Sequence, residues 1–209
     1  MTDRICLASA SPRREALLRQ IGVPFWSLPV NLDESILPGE SPRTLVKRLA
    51  LAKARTASST MTDSDLEIVA VLGADTIVAV DENILGKPGS RSEAVSMLTR
   101  LSGRSHQVFT GIALVTAQAT QAEVVISTVT FASLAGDQIE AYCDTGEPFG
   151  KAGAYAIQGI GGCFVQHISG SYSGIVGLPL YETSRLLRRF GLSGPISSQD
   201  GQLVTGRSR

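Results

Sequence analysis

The stretch Ile68–Val80 constrains this chain more than any other. Apart from Gly73-Ala74-Asp75-Thr76 it is almost continuously apolar. Strands with that character are buried on both faces, in the middle of a sheet covered by helices. The pattern predicts strand over Ile68 to Leu72 and again over Ile77 to Val80, with Gly73 to Thr76 as an interruption. It also sets a carboxylate, Asp75, in the most apolar part of the chain. An ionised carboxylate there is costly without a cation, a metal or hydrogen-bond donors. It can cap a turn through Thr76, or line a site, as carboxylates at the ends of buried α/β strands often do.

The flanking segments read as alternating elements. Ile5 to Leu7 is a short apolar strand. Ser11-Pro12 is an N-cap and N1 pair opening a helix that Gly22 ends. Phe25 to Val30 reads as an edge strand. Ser41-Pro42 opens a second helix to about Ala57, and Ser58 to Glu67 reads as a polar loop. Ser90 to Leu101 is an amphipathic helix. His106 to Thr116 and Glu123 to Ser133 are strands able to pair across a turn. Asp137 to Cys143 is a short helix, Gly146 to Gly162 a structured glycine-rich loop, Cys163 to Ile168 a strand, and Leu178-Pro179 to Phe190 a closing helix. The order predicts an α/β fold with a mixed sheet. Residues 1–190 form one domain of two lobes in this reading, and 191–209 a poorly ordered tail.

Composition narrows the function. The chain has 209 residues, 43% of them hydrophobic, enough for a sizeable core. Nineteen Lys plus Arg balance 19 Asp plus Glu. That neutrality speaks against a nucleic-acid-binding module, while leaving room for a small anion focused in one cleft. Cys6, Cys143 and Cys163 form no CxxC pattern and read as three small buried apolar residues, reduced as in the cytoplasm. Only His106 and His167 are histidines, which makes a zinc site of the Cys/His kind unattractive. No secretory signal is expected at the N-terminus, and no run reaches the ~18 apolar residues of a membrane span.

Several positions point to phosphate chemistry. In Ser9-Ala10-Ser11-Pro12-Arg13-Arg14 two arginines fall in the first turn of a helix. The macrodipole disfavours cations there, and an anionic ligand removes the conflict. The alternative is two solvated arginines. Lys87, before Pro88-Gly89, can be a point charge on phosphate, but read alone it is a solvated loop lysine. The glycines around Lys151 to Gly159 permit close backbone approach, without P-loop or dinucleotide spacing. Asp33-Glu34 can supply a hard-metal ligand or be a solvated acidic pair. Together these features suggest a triphosphate held by cations and a divalent metal, and they do not identify the reaction.

A set of ordered motifs goes further: Leu-Ala-Ser-Ala-Ser-Pro-Arg-Arg (7–14), Arg48-Leu49-Ala50 with Lys53, Gly-Ala-Asp-Thr (73–76), Gly-Lys-Pro (86–88), Leu-Ser-Gly (101–103), Lys-Ala-Gly-Ala-Tyr-Ala-Ile-Gln-Gly (151–159) and Val-Gly-Leu-Pro-Leu (176–180). In these the chain resembles the Maf family of nucleotide pyrophosphatases, from Leu7 to about Leu187. The resemblance implies an elongated, two-lobed α/β fold with a deep central cleft, similar to the inosine-triphosphate pyrophosphatases. It implies hydrolysis of the α–β phosphate bond of a nucleoside triphosphate with Mg²⁺ or Mn²⁺. By motif, Asp75 would be the proton acceptor, and Ser9, Arg13, Arg14, Lys53 and Lys87 would line the phosphate cleft. Glu34, with Asp75, would hold the metal. Arg13, Thr76 and Gln158 resemble the branch that prefers dTTP and UTP. The sister branch, preferring 7-methyl-GTP, has a bulky aromatic at the first position and Gln and Glu types at the others. The resemblance further implies a cytoplasmic homodimer with no nucleic-acid or membrane partner. A purine or modified-base triphosphatase, or a nucleotide-bound regulator of septum formation, are the rival functions.

Overall fold

The computed structural model describes residues 4–61, 68–81 and 83–192. In chain order these form β1 (Arg4–Ala8), α1 (Pro12–Gln20), β2 (Phe25–Ser27), α2 (Pro42–Thr60), β3 (Ile68–Val80), β4 (Asn83–Leu85), α3 (Arg91–Leu101), β5 (Ser105–Val115), β6 (Thr120–Phe131), α4 (Gly136–Asp144), β7 (Val165–Ser169), α5 (Tyr172–Val176) and α6 (Leu180–Arg189). Short 3₁₀ turns cover Ala152–Ala154 and Ile160–Phe164.

One sheet organises the molecule, in the order β2-β1-β3-β5-β6-β7, with β4 also paired to β3. β1 runs parallel to β2 and β3, and the remaining pairs are antiparallel, so the sheet is mixed. The helix starts follow the expected serines. Ser41 Oγ accepts from Thr44 N, and Ser90 Oγ from Glu93 N. Ser11 makes no side-chain cap; instead its own N–H donates to Ser9 Oγ.

The predicted interruption at Gly73 to Thr76 is absent: β3 is one strand of 13 residues. Its glycine serves a different purpose. A Cβ at Gly73 would lie 2.1 Å from Ala50 O, and one at Gly111 on β5 would lie 2.3 Å from Val46 O. Both glycines let α2 press its backbone against β3 and β5, the close approach that a strand glycine can mark.

Four other expectations change. The edge strand stops at Ser27, α2 continues past Ala57 to Thr60, and the last strand begins at Val165. Cys6 and Cys143 are buried, but Cys163 is exposed, because the 3₁₀ turn that carries it directs Gly161 and Phe164 inward. Of the loop expected over Ser58 to Glu67, residues 62–67 lie outside the described residues, as do residues 193–209 of the tail. Leu192 still packs into the core, with its N–H on Leu187 O.

Side-chain parity along β3 divides the core. Ala70, Leu72 and Ala74 pack with Leu17 and Leu18 of α1 and with Leu186 and Leu187 of α6. Val71 packs with Ala50, Ala54 and Ala57 of α2, and Ile77 and Ala79 with Leu45, Val46 and Leu49. Val78 and Val80 join α3, α4 and β6 in the largest cluster. Among the described residues, no helix is long and apolar enough to cross a membrane.

Candidate active site

Sheet pairing opens the site. β1 ends with Ala8 opposite Gly73, and β4 ends with Leu85 opposite Val78. Between those pairs, Ala74 to Ile77 are bonded to β5 on one edge and face open space on the other. Ligands of open α/β sheets sit beyond the carboxyl ends of parallel strands, which is where β1 stops. A cleft of about 500 Å³ occupies this gap, within the range of small-molecule sites.

Apart from Asp33, the residues singled out from the sequence line this cleft: Ser9, Arg13, Arg14, Glu34, Lys53, Asp75, Thr76, Lys87 and Gln158. The strand's alternation sends Asp75 and Thr76 to opposite faces. Asp75, 6% exposed, turns toward α2, where Lys53 Nζ donates to its Oδ1 at 2.7 Å. The same Nζ lies 2.6 Å from Glu34 Oε1. Lys87 Nζ stands 3.9 Å from Glu34 Oε2, with most of its side chain in solvent. Burial alone would raise the Glu34 carboxyl, but the Lys53 hydrogen bond and the charges of Lys53, Lys87 and Arg14 overcome it, and it lies below its usual value.

Thr76 turns the other way, toward α1. Its Oγ1 accepts from Arg14 Nη2 at 3.4 Å and is hydrogen-bonded to Thr110 Oγ1 at 3.0 Å. Arg14 also donates from Nη1 to Ser9 Oγ (3.2 Å) and from Nε to Gly177 O (2.9 Å). Every hydrogen-bond acceptor around this guanidinium is neutral. Burial pulls it below the usual arginine range, against the opposing charge of Asp75. Half-buried Arg13 is lowered by burial too, and has no hydrogen bond or ion pair among the described residues. Gln158 is exposed at the rim.

Asp33 and Glu34, adjacent in sequence, separate here. Asp33 Oδ1 accepts from Ser35 N and shapes the loop, leaving only Glu34 to reach Lys53. That loop is held by Arg48, which forms a two-pronged ion pair with Glu40 (both 2.7 Å) and donates to Ser35 O (3.0 Å).

Some residues of the site were not singled out for it from the sequence. Thr110 and Gly177 fix Thr76 and Arg14, and Lys151 lines the cleft with an ammonium lowered by burial and then by Arg13. Thr110 and Gly177 carry no local signal, since a strand threonine and a glycine after a helix are ordinary. Lys151 lay in a noted motif, without a role.

Two carboxylates converging on one ammonium, ringed by two half-buried arginines and further lysines, define an α/β protein built to hold a polyanion against an acid–base group. The comparisons with known proteins agree. The Maf-like protein family profile matches residues 4–190, and the chain belongs to the Maf family. It is 52% identical to a dTTP/UTP pyrophosphatase of Pseudoalteromonas atlantica over 189 residues, 90% of this chain and 98% of that protein. A dTTP/UTP pyrophosphatase of Xanthomonas campestris pv. campestris is 50% identical over 88% of this chain and 97% of its own. One of Symbiobacterium thermophilum is 50% identical over 90% and 95%.

Proposed function

We propose that the chain is a nucleoside triphosphate pyrophosphatase, hydrolysing the α–β phosphate bond of dTTP and UTP to the monophosphate and pyrophosphate. The observation that carries this reading is the meeting of Asp75, Lys53 and Glu34 with Arg13, Arg14 and Lys87 in one nucleotide-sized cleft. The similarity to the dTTP/UTP pyrophosphatases named above supplies the substrate class.

A triphosphate carries roughly four negative charges. Arg13, Arg14, Lys87 and Lys151 neutralise them, and Arg14 gains the anionic partner its neutral acceptors do not provide. Asp75 accepts a proton from the attacking water. The water oxygen bonds to the α phosphorus, the bond from that phosphorus to the bridging oxygen breaks, and pyrophosphate leaves with the electron pair. Lys53 holds Asp75 in place and faces the charge that builds on the phosphate oxygens.

Glu34 and Asp75 fit a divalent cation. Both offer hard oxygen donors, and their oxygens converge on a position already favourable to positive charge, at 2.6 and 2.7 Å from one Nζ. Bound Mg²⁺ or Mn²⁺ would supply charge neutralisation and orient the phosphates. Thr76, Arg13 and Gln158 are the specificity residues in this reading; the Gln158 amide offers both donor and acceptor to a pyrimidine edge. A pure nucleotide-binding regulator is disfavoured, because two carboxylates beside the phosphates repel a ligand that is only held. A cytoplasmic homodimer completes the proposal, supported by the family resemblance.

Pyrophosphate release from a panel of canonical and modified nucleoside triphosphates, with Mg²⁺ or Mn²⁺, tests it. Turnover led by dTTP and UTP and abolished by chelation is the expected result. Binding without turnover of any nucleotide overturns it.

A further inference from the structure

The segment between α4 and β7 enters the cleft with Lys151, Ala152 and Tyr155 to Gln158. One side chain that does not itself line the cleft holds it there. Glu147 Oε1 accepts from Tyr142 Oη (2.8 Å) and from Gly161 N (2.9 Å), and its Oε2 accepts from Ile160 N (3.0 Å). Tyr142, 3% exposed, accepts in turn from Ala156 N at 3.2 Å. The chain is therefore fixed on both sides of Gln158: at Ala156 through the phenol, and at Ile160 and Gly161 by the carboxylate. The Glu147 carbonyl also accepts from Lys151 Nζ at 3.3 Å.

The glycines are there to admit this clamp. A Cβ at Gly159 would lie 2.2 Å from Glu147 Oε2, and one at Gly161 would lie 2.7 Å from Tyr142 Oη. The Gly-Ile-Gly-Gly run (159–162) thus reads as the footprint of the carboxylate and the phenol. Burial would raise the Glu147 carboxyl, and the two backbone N–H groups, Tyr142 and the Lys151 charge hold it below its usual value. It is a carboxylate at neutral pH, with charge-assisted bonds to the loop.

We infer that Glu147 is a positioning residue for base recognition: its carboxylate, with Tyr142, sets the arch that presents Gln158, and its carbonyl steadies Lys151. The inference rests on the proposed nucleotide chemistry. The general base Asp75 and its partner Lys53 stand on β3 and α2, apart from this arch, which brings only Lys151 to the phosphates, so loosening the arch acts on nucleotide binding and selection more than on the chemical step.

The test compares wild type, Glu147→Gln and Tyr142→Phe with dTTP and dCTP. Glu147→Gln is close in shape but turns an amide toward backbone donors. The expected result is a ten- to hundred-fold rise in KM for dTTP, on the scale of lost charge-assisted bonds (about that range). kcat is expected to stay within about three-fold, and the dTTP:dCTP preference to move toward one. Tyr142→Phe keeps the ring and removes only the bridge to Ala156, so it shifts selectivity in the same direction by less, and it carries the test if Glu147→Gln does not fold. Unchanged KM and selectivity in a folded variant overturns the inference. So does a fall in kcat with KM and selectivity intact, which would place Glu147 in the chemistry. If wild type binds but turns over no nucleotide, the proposed function fails; dissociation constants for dTTP and dCTP then decide the clamp, and preserved discrimination in the variants overturns it.

Discussion

Lys53 Nζ lies 2.7 Å from Asp75 Oδ1 and holds Glu34 with the same ammonium, so one cation ties a buried strand carboxylate to a loop carboxylate. Asp75→Asn leaves that ammonium paired with Glu34 and keeps the side-chain shape. The variant is expected to fold as wild type and to lose activity by about 10²–10⁴-fold, the usual contribution of a general base. Pyrophosphate release together with a thermal melt checks this. Wild-type turnover in a folded Asp75→Asn protein would remove Asp75 from its role.

Lys53→Met is expected to do the opposite to stability. Lys53 is 8% exposed and Asp75 6% exposed, so the substitution strands a carboxylate in an apolar setting. Removing one partner of a buried pair costs about 3–5 kcal/mol. Adding Asp75→Asn to Lys53→Met relieves the stranded charge, so the double variant is expected to be more stable than Lys53→Met alone. Urea unfolding of the two singles and the double closes the cycle. Additive losses would mean that the pair is not coupled.

Gly73→Ala tests how α2 reaches the site. The new methyl would meet Ala50 O at 2.1 Å and Ala54 N at 2.8 Å, both backbone atoms that cannot swing aside. Overpacking costs about 1–3 kcal/mol or more, and relief requires α2 to move away from β3, carrying Lys53 with it. The expected outcome is a lower melting temperature and a fall in kcat, although residue 73 lies outside the proposed chemistry. Loss of stability with full kcat would show that α2 can shift without disturbing Lys53.

These same residues show what was readable in advance. Asp75 stands out because a carboxylate amid apolar neighbours needs a partner, and helix starts at Ser41 and Ser90 are local events written in adjacent residues. Lys53 does not stand out: on an amphipathic helix it looks like any solvated lysine, and only the family motif pointed to it. Gly73 reads as a break in the sequence because a glycine's meaning depends on what crosses it, here the backbone of α2. Glu147 gave no signal as a clamp, since its partners lie on α4 and on the far side of a loop. Cys163 was expected inside because cysteines usually are, and the 3₁₀ turn placed it outward instead.

His106 makes the fold sensitive to acid. It is 2% exposed, with Nε2 on Tyr155 Oη at 2.9 Å and its ring edge-on to Phe131. Burial pulls its pKa from 6.5 down to about 4. The unfolded chain therefore takes up a proton between about pH 6.5 and 4 while the folded chain does not. Stability rises with pH wherever the unfolded state binds more protons, so the contribution is complete above about 6.5 and is lost as pH falls toward 4, by about 3 kcal/mol at most. His106→Gln, which can still bond Tyr155, removes the titrating group. Urea midpoints at pH 7 and pH 5 are expected to differ more for wild type than for the variant. Equal pH dependence in the two proteins would show that His106 is protonated, or already accessible, in the folded state.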